Sequence, residues 1–220
     1  MTPSAPLTFP PARRRTGAFG LGLAVLLALA VTGCGGTAAT FDPSGPCVVD
    51  GRAAGAYPDL EVRLPVALEG ASPTSVDSGR NCTEGGLGSL ASHDVASVTF
   101  AGTTWDLGSG RYVSSAVFTS PGTELQAAWM AEFYEAGARA AKKTSNVETS
   151  RPSFVGAGET WRLDALNDLS FQTIVTWQEG ELVRVVLIAT NVAPDASRGA
   201  HDELVASAVR ASVEASSAGG

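Results

Sequence analysis

Residues 171–189, which read FQTIVTWQEGELVRVVLIA, predict a hairpin at the centre of an antiparallel sheet. The first strand alternates between a face expected to be buried and a face expected to point outward. The buried face comprises Phe171, Thr173, Val175 and Trp177, and the outward face comprises Gln172, Ile174, Thr176 and Gln178. A turn at Glu179-Gly180 leads into residues 182–189, which are apolar on both faces apart from Arg184. Such a strand is expected to lie between two neighbours in the sheet.

Shorter segments on the N-terminal side of this hairpin predict the remaining strands. They are residues 60–64, two strands around Val98 and Trp105 joined by a turn at Ala101-Gly102, and residues 112–119, 147–155 and 159–166. Residues 66–94 are rich in Gly, Ser, Asn and Asp, so no strand is predicted there, and one short helix or turn is expected near residues 87–92.

Two helices complete the predicted fold. Ser120-Pro121 indicates the start of the first, because serine caps helices and proline suits the first helical position, and this helix is expected over residues 121–142. Residues 201–215 predict a second, amphipathic helix. The predicted class is therefore α+β, with an antiparallel sheet of about five to six strands and two helices packed on one face.

The first helix carries apolar side chains spaced three and four residues apart, among them Trp129 and Phe133. Such a stripe is typical of the face that packs on a core. Its aromatic members could instead line a ligand site, if a groove stays open between the helix and the sheet. On that interpretation Trp129, Phe133 and Trp177 of the sheet are the candidates for a ligand or partner surface.

The N-terminus has the three regions of a secretory leader in order. Three arginines, residues 13–15, precede an uncharged apolar run over residues 17–30, and small residues follow. The run is shorter than the roughly 20 residues that a membrane-spanning helix needs, and its glycines disfavour a buried core helix. It ends in Val31-Thr32-Gly33-Cys34, which resembles the lipobox of bacterial lipoproteins. The resemblance implies cleavage before Cys34, a diacylglyceryl group on its thiol, and a domain held on the extracytoplasmic side of a bacterial cell membrane.

This resemblance divides the chain into segments. Residues 1–33 are the expected signal peptide, and residues 34–46 are the lipidated cysteine and a flexible tether rich in small and turn-forming residues. A single extracytoplasmic domain is expected over residues 47–216, followed by a loose tail at 217–220. Removal of the leader leaves 187 residues, a length that suits one domain.

The charge balance argues against nucleic acid as a partner. The mature chain would keep 12 basic and all 22 acidic residues, so its net charge would be −10. Nucleic-acid binding relies on clustered Lys and Arg, and the one adjacent basic pair of the mature chain is Lys142-Lys143. That pair lies at an expected helix end, where cations complement the helix dipole.

With Cys34 assigned to the lipid, Cys47 and Cys82 remain as a pair outside the reducing cytosol. This location favours a disulfide between them. Two free buried thiols are one alternative. A metal site is another, although the cysteines and the two histidines occur singly, without the close pairs typical of zinc ligands.

No motif in the sequence indicates catalysis, a metal or a cofactor. His93-Asp94 and His201-Asp202 resemble the His-Asp pairs of metal phosphohydrolases, but two histidines are too few for such a centre. Neither a Gly-x-Ser-x-Gly elbow nor a phosphate-binding glycine loop is present. We therefore predict no enzyme activity, no metal and no cofactor.

The order of elements over residues 96–215 resembles the small extracytoplasmic α+β modules of bacterial lipoproteins and sensor kinases, including PsbP-like and PknH-type sensor domains. The resemblance is one of pattern, and it implies a binding or scaffold role for a small ligand, an envelope component or a protein partner. The alternatives are a lipid carrier with an apolar cavity and an envelope hydrolase without a recognised motif.

Overall fold

The computed structural model describes residues 41–168, 170–192 and 197–218. The predicted leader, Cys34 and most of the predicted tether lie outside these ranges, so the lipidation of Cys34 stays a prediction. None of the helices in the described ranges combines the length and the hydropathy needed to cross a membrane.

The described residues form one antiparallel sheet of eight strands in the order β1-β2-β3-β4-β8-β7-β6-β5. Strands β1 to β4 form a meander that starts at one edge, and β5 to β8 form a second meander that starts at the other edge, so that β4 and β8 meet in the middle. The strands are β1 Gly51–Ala53, β2 Ser75–Asn81, β3 Val98–Asp106, β4 Arg111–Thr119, β5 Thr144–Ser150, β6 Thr160–Asn167, β7 Ser170–Glu179 and β8 Leu182–Asn191.

In the described ranges, two long helices and three short ones accompany the sheet. The short ones are α1 Pro58–Glu61, α2 Glu84–Leu87 and a 3₁₀ helix, Gly88–His93. The long ones are α3 Ala127–Ala140 and α4 Arg198–Ala218. Helix α3 connects the central strand β4 to the edge strand β5, and α4 follows β8.

The two long helices cover opposite faces of the sheet. Helix α4 packs Leu204 in one cluster with Val175 of β7 and Val186 of β8. At the start of α3, the Ala127 amide donates a hydrogen bond of 2.9 Å to the side-chain oxygen of Gln178 in β7. Val175 and Gln178 are three positions apart in one strand, so their side chains point to opposite faces.

The prediction of five to six strands with two helices on one face is therefore wrong. The hairpin β7–β8 is confirmed, and its first strand has apolar residues on the face under α4 as predicted. The opposite face of β7, predicted to point outward, is also buried, with Gln172 6%, Ile174 3% and Thr176 1% exposed. A central hairpin that buries both faces requires a helix on each side.

Strands β1 and β2 are absent from the prediction because their sequences are polar. Strand β2 reads SVDSGRN, yet its Ser78 and Arg80 are buried. Burial of such groups requires hydrogen-bond partners, and these come from distant parts of the chain. The Ser78 hydroxyl donates to Glu61 at 2.7 Å. Such long-range pairing leaves no local pattern in the sequence.

Arg80 binds residues 42–46, which belong to the part of the predicted tether that the structure describes. Its guanidinium donates hydrogen bonds of 2.8–3.3 Å to four backbone carbonyls, those of Asp42, Pro43, Gly45 and Pro46. It also lies 5.6 Å from the centroid of the Phe41 ring. The chain from Phe41 onward is therefore attached to β2, ahead of the disulfide.

The predicted disulfide between Cys47 and Cys82 is confirmed. The two Cα atoms are 5.5 Å apart, and the bond joins residues separated by 35 positions. Next to it, Asp50 accepts hydrogen bonds from the backbone amides of Cys82 and Thr83, at 2.6 and 2.9 Å. The bond ties the chain ahead of β1 to the end of β2.

The strand predicted at residues 60–64 is wrong. The chain forms the one-turn helix α1, which includes Leu60 and Glu61 and has Pro58 at its first position. Leu60 and Leu64 both pack towards Ala101 and Val117. A spacing of four residues suits a helical turn, and in this short segment it coincides with the alternation of a strand.

The predicted turn at Ala101-Gly102 is also wrong, because β3 runs through both residues. Gly102 pairs with Asp77 on one side and with Ala116 on the other. Glycine often indicates a turn, but pairing with two neighbouring strands keeps this one extended.

Helix α3 begins at Ala127 rather than at Pro121. Residues 121–126 form a turn and an extended segment, with Gly122 at a positive φ of 84° and Leu125 fully buried. The N-cap position is Gln126, whose side chain makes no capping bond, and Gln178 accepts the free Ala127 amide instead. A cap supplied from another strand cannot be inferred from the local sequence.

Candidate functional site

An open recess of about 340 Å³ lies between α3 and strands β5, β6 and β7. Its volume falls within the range of small-molecule sites, roughly 300–1,000 Å³. The helix contributes Ala131, Tyr134 and Glu135, and the sheet side contributes Thr149, Ser150, Arg151, Trp161, Arg162, Leu163, Ile174 and Thr176. A recess is therefore open between this helix and the sheet.

Thr176 carries an unsatisfied hydroxyl in the lining of this recess. The residue is 1% exposed, and its Oγ1 has no hydrogen-bond partner among the described residues. A buried polar group without a partner costs about 1–3 kcal/mol. Thr176 is opposite Trp161 of β6 in the strand register, so the two side chains are neighbours on the same face. A residue that lines the recess therefore carries a hydroxyl that no described protein group bonds.

Trp161 provides an aromatic wall. It is half-buried, and the Arg151 guanidinium lies 5.2 Å from the centroid of the ring, a cation–π arrangement. Arg151 also pairs with Glu159. A cation that is already paired therefore lies near one face of the indole.

Tyr134 is the fully buried aromatic residue on the helix side of the recess. Burial raises the pKa of its hydroxyl well above the ordinary value, because the phenolate would lose its hydration. The hydroxyl therefore stays protonated at every physiological pH and can act as a hydrogen-bond donor.

Each charged side chain of the lining has an ion-pair partner of its own. Glu135 pairs with Arg139 at 2.7 Å, and Arg151 pairs with Glu159. The Arg162 side chain lies on the opposite face of β6, where it binds Asp164 at 2.8 Å. A charged ligand would have to compete with one of these pairs. The recess is thus suited to an uncharged ligand.

Comparison with protein-family models, curated proteins and solved structures finds no match for this chain. Its function must therefore be inferred from the geometry of its own residues.

The three aromatic residues predicted as a ligand surface do not lie together. Trp129 stacks on His93 of the 3₁₀ helix with ring centroids 4.7 Å apart, and Phe133 contacts Tyr134 edge-on at 5.3 Å. Trp177 is 1% exposed and belongs to the core under α4, on the opposite face of the sheet. None of the three is among the residues that line the recess.

The recess residues were not singled out in the sequence. Trp161 lies in the predicted strand 159–166, but the neighbouring sequence does not distinguish it from a tryptophan of the core. The sequence pattern predicts that Thr176 lies on the outward face of its strand, but α3 covers this face in the structure. The missing information is the position of α3, whose first residue, Ala127, bonds the distant Gln178.

The two histidines lie in separate environments, and neither lines the recess. The His93 ring bonds Glu132 at 2.8 Å and stacks on Trp129 near the surface. In the described part of the chain, no group of three or more His, Cys, Asp or Glu side chains is placed to hold a metal ion.

His201 is buried at the start of α4 in a chain of hydrogen bonds. Thr173 donates to the carboxylate of Asp164 at 2.5 Å, so its oxygen accepts the proton of His201 Nε2 at 2.7 Å. Thr190 then donates to His201 Nδ1 at 2.8 Å. Burial lowers the pKa of His201 to about 4, and the nearby charge of Arg198 acts in the same direction. The imidazole is therefore neutral at pH 7.

We expect the protein to lose stability as the pH falls from about 6.5 to about 4. Over this range the unfolded chain binds a proton on His201 with an ordinary pKa near 6.5, whereas the folded protein does not. The contribution of neutral His201 to the free energy of unfolding is fully present above pH 6.5. About 2–3 kcal/mol of this free energy is lost by pH 4. Urea unfolding at a series of pH values measures it.

The test variant for this experiment is His201→Gln, which should flatten the pH dependence between 6.5 and 4. An equal slope in wild type and His201→Gln would contradict the assignment of the pH dependence to His201.

Proposed function

We propose that this protein is a membrane-anchored extracytoplasmic binding module that holds a small uncharged ligand in the recess between α3 and the sheet. The observation that carries the proposal is the buried hydroxyl of Thr176, a residue that lines an open recess, because none of the described residues bonds this hydroxyl. The lipobox-like segment ending at Cys34 supports the location at the membrane.

The binding role accounts for the recess better than the two alternatives do. A lipid chain would leave the hydroxyls of Tyr134, Thr149 and Thr176 unpaired against an apolar surface, which is costly. Hydrolysis needs a base beside a nucleophile, and both histidines lie outside the lining. Ligand binding requires only the complementary surface that the recess provides.

Thr176→Val is expected to stabilise the free protein and weaken ligand binding. Valine has the same shape and removes the unpaired hydroxyl, so the free energy of unfolding should rise by about 1 kcal/mol. Loss of a hydrogen bond to the ligand should weaken binding about tenfold. Thermal unfolding of the full chain with a panel of neutral sugars, amides, alcohols and aromatic compounds measures both effects.

Thr103→Val is the matched control, because Thr103 is equally buried and bonds the Ser75 carbonyl at 3.2 Å. This variant should be less stable than wild type by about 1 kcal/mol and keep the ligand response. The proposal is wrong if no compound of the panel stabilises wild type, or if every compound stabilises Thr176→Val equally.

A further inference from the structure

The lining of the recess combines three properties that together narrow the class of ligand. The first is a flat apolar wall, the half-buried indole of Trp161. Beside it lie the apolar side chains of Ala131, Leu163 and Ile174. A ligand in this recess therefore needs at least one apolar face that can contact a ring.

The second property is a set of hydroxyl groups around that apolar surface. They belong to Tyr134 of α3 and, on the sheet face under α3, to Thr149 and Thr176. A hydroxyl both donates and accepts, so three of them match a ligand whose edges carry groups that also do both. A purely aromatic or aliphatic ligand would cover these groups without pairing them, which is unfavourable.

The third property is that the charged side chains of the lining are already paired with other side chains of the protein. The cation that a tryptophan face would attract is already present, because Arg151 lies over Trp161 and pairs with Glu159. Glu135 on the helix pairs with Arg139. A cationic or anionic ligand would therefore have to displace a partner that the protein supplies itself.

We propose that the ligand is a neutral sugar ring, which has apolar C–H faces and hydroxyl groups around its edge. This inference rests on the proposed function and specifies its ligand. The ring would lie against Trp161, with one hydroxyl bonded to Thr176 at the buried side of the recess. A sugar of an envelope glycan and a free neutral sugar share this chemistry.

Saturation-transfer NMR with the full chain in detergent micelles tests the inference. The probes are glucose, galactose, mannose and N-acetylglucosamine, their disaccharides, and a long neutral oligosaccharide, compared with indole, choline and benzoate. At least one sugar is expected to receive saturation, and Trp161→Ala should weaken its binding about tenfold. Stronger binding of the oligosaccharide than of the single sugars identifies a glycan as the source, and equal binding identifies a free sugar.

Trp129→Ala is the matched control, since Trp129 stacks on His93 outside the recess and its removal should leave binding unchanged. If Trp161→Ala does not fold, Trp161→Phe takes its place in the experiment. This variant keeps an aromatic ring and should retain most of the sugar binding. Binding of indole, but of no sugar, that is lost in Thr176→Val overturns the sugar assignment and supports the binding function. Binding of choline or benzoate in the recess overturns both the sugar assignment and the proposal of an uncharged ligand. Failure of every probe overturns the sugar assignment as well, and the neutral-compound panel then decides the binding function separately.

Discussion

Replacement of both Cys47 and Cys82 by serine is expected to lower the free energy of unfolding by about 3–4 kcal/mol. The bond closes a loop of 35 residues between the chain ahead of β1 and the end of β2. Without it the unfolded chain gains conformational freedom, and the polar strands β1 and β2 have little apolar burial to offset that gain. Urea unfolding of wild type and the double variant under oxidising conditions measures the difference.

The control for this prediction is the same pair of proteins under reducing conditions. Reduction should lower the stability of wild type towards that of the double variant and leave the variant unchanged. Equal unfolding midpoints for oxidised and reduced wild type would contradict the assigned role of the disulfide, as would a non-reducing peptide map that shows free thiols at both positions.

Cys34→Ala is expected to abolish attachment to the membrane. The lipobox-like segment predicts that the Cys34 thiol carries the diacylglyceryl group, and alanine cannot be acylated. A diacyl group supplies the two chains that stable anchoring needs. In cell fractionation the variant should leave the membrane fraction, and labelling with radioactive palmitate should disappear.

The Cys47→Ser, Cys82→Ser double variant serves as the matched control, because it also removes thiols but leaves Cys34 in place. It should keep its palmitate label and its membrane location. Unchanged labelling and fractionation of Cys34→Ala would refute the anchor.

The parts of the fold that the sequence predicts correctly are those with strong local patterns. The hairpin β7–β8 has strict alternation on one strand, a run of apolar residues on the other and a Glu179-Gly180 turn between them. The pairing of Cys47 with Cys82 is predicted from the expectation that the chain leaves the reducing cytosol. In each case the information lies in residue type and short-range spacing.

The parts that the sequence does not predict depend on long-range polar contacts. Strand β2 is buried through Ser78 and Arg80, whose partners lie at Glu61 and in residues 42–46. The start of α3 depends on Gln178, 51 residues further along the chain. Short-range patterns cannot show such partners.

The location of the recess could not be predicted for the same reason. Alternation correctly places Thr176 on the face opposite Val175, but it cannot show that α3 will cover that face. Once α3 is placed, Thr176 becomes a buried hydroxyl beside Trp161 instead of an exposed one. The site therefore arises from the packing of a helix on a sheet, and the sequence carries no motif for it.

Methyl-resolved NMR of the full chain tests most directly whether this recess is the binding site. Neutral compounds of the panel would be added in turn to protein labelled at its methyl groups. We expect at least one compound to shift the methyl signals of Ile174, Leu163 and Thr176, which line the recess, while those of Val186 and Leu204 on the opposite face stay unchanged. Shifts confined to Val186 and Leu204, or no shift at the three recess residues with any compound, would contradict the proposed binding function.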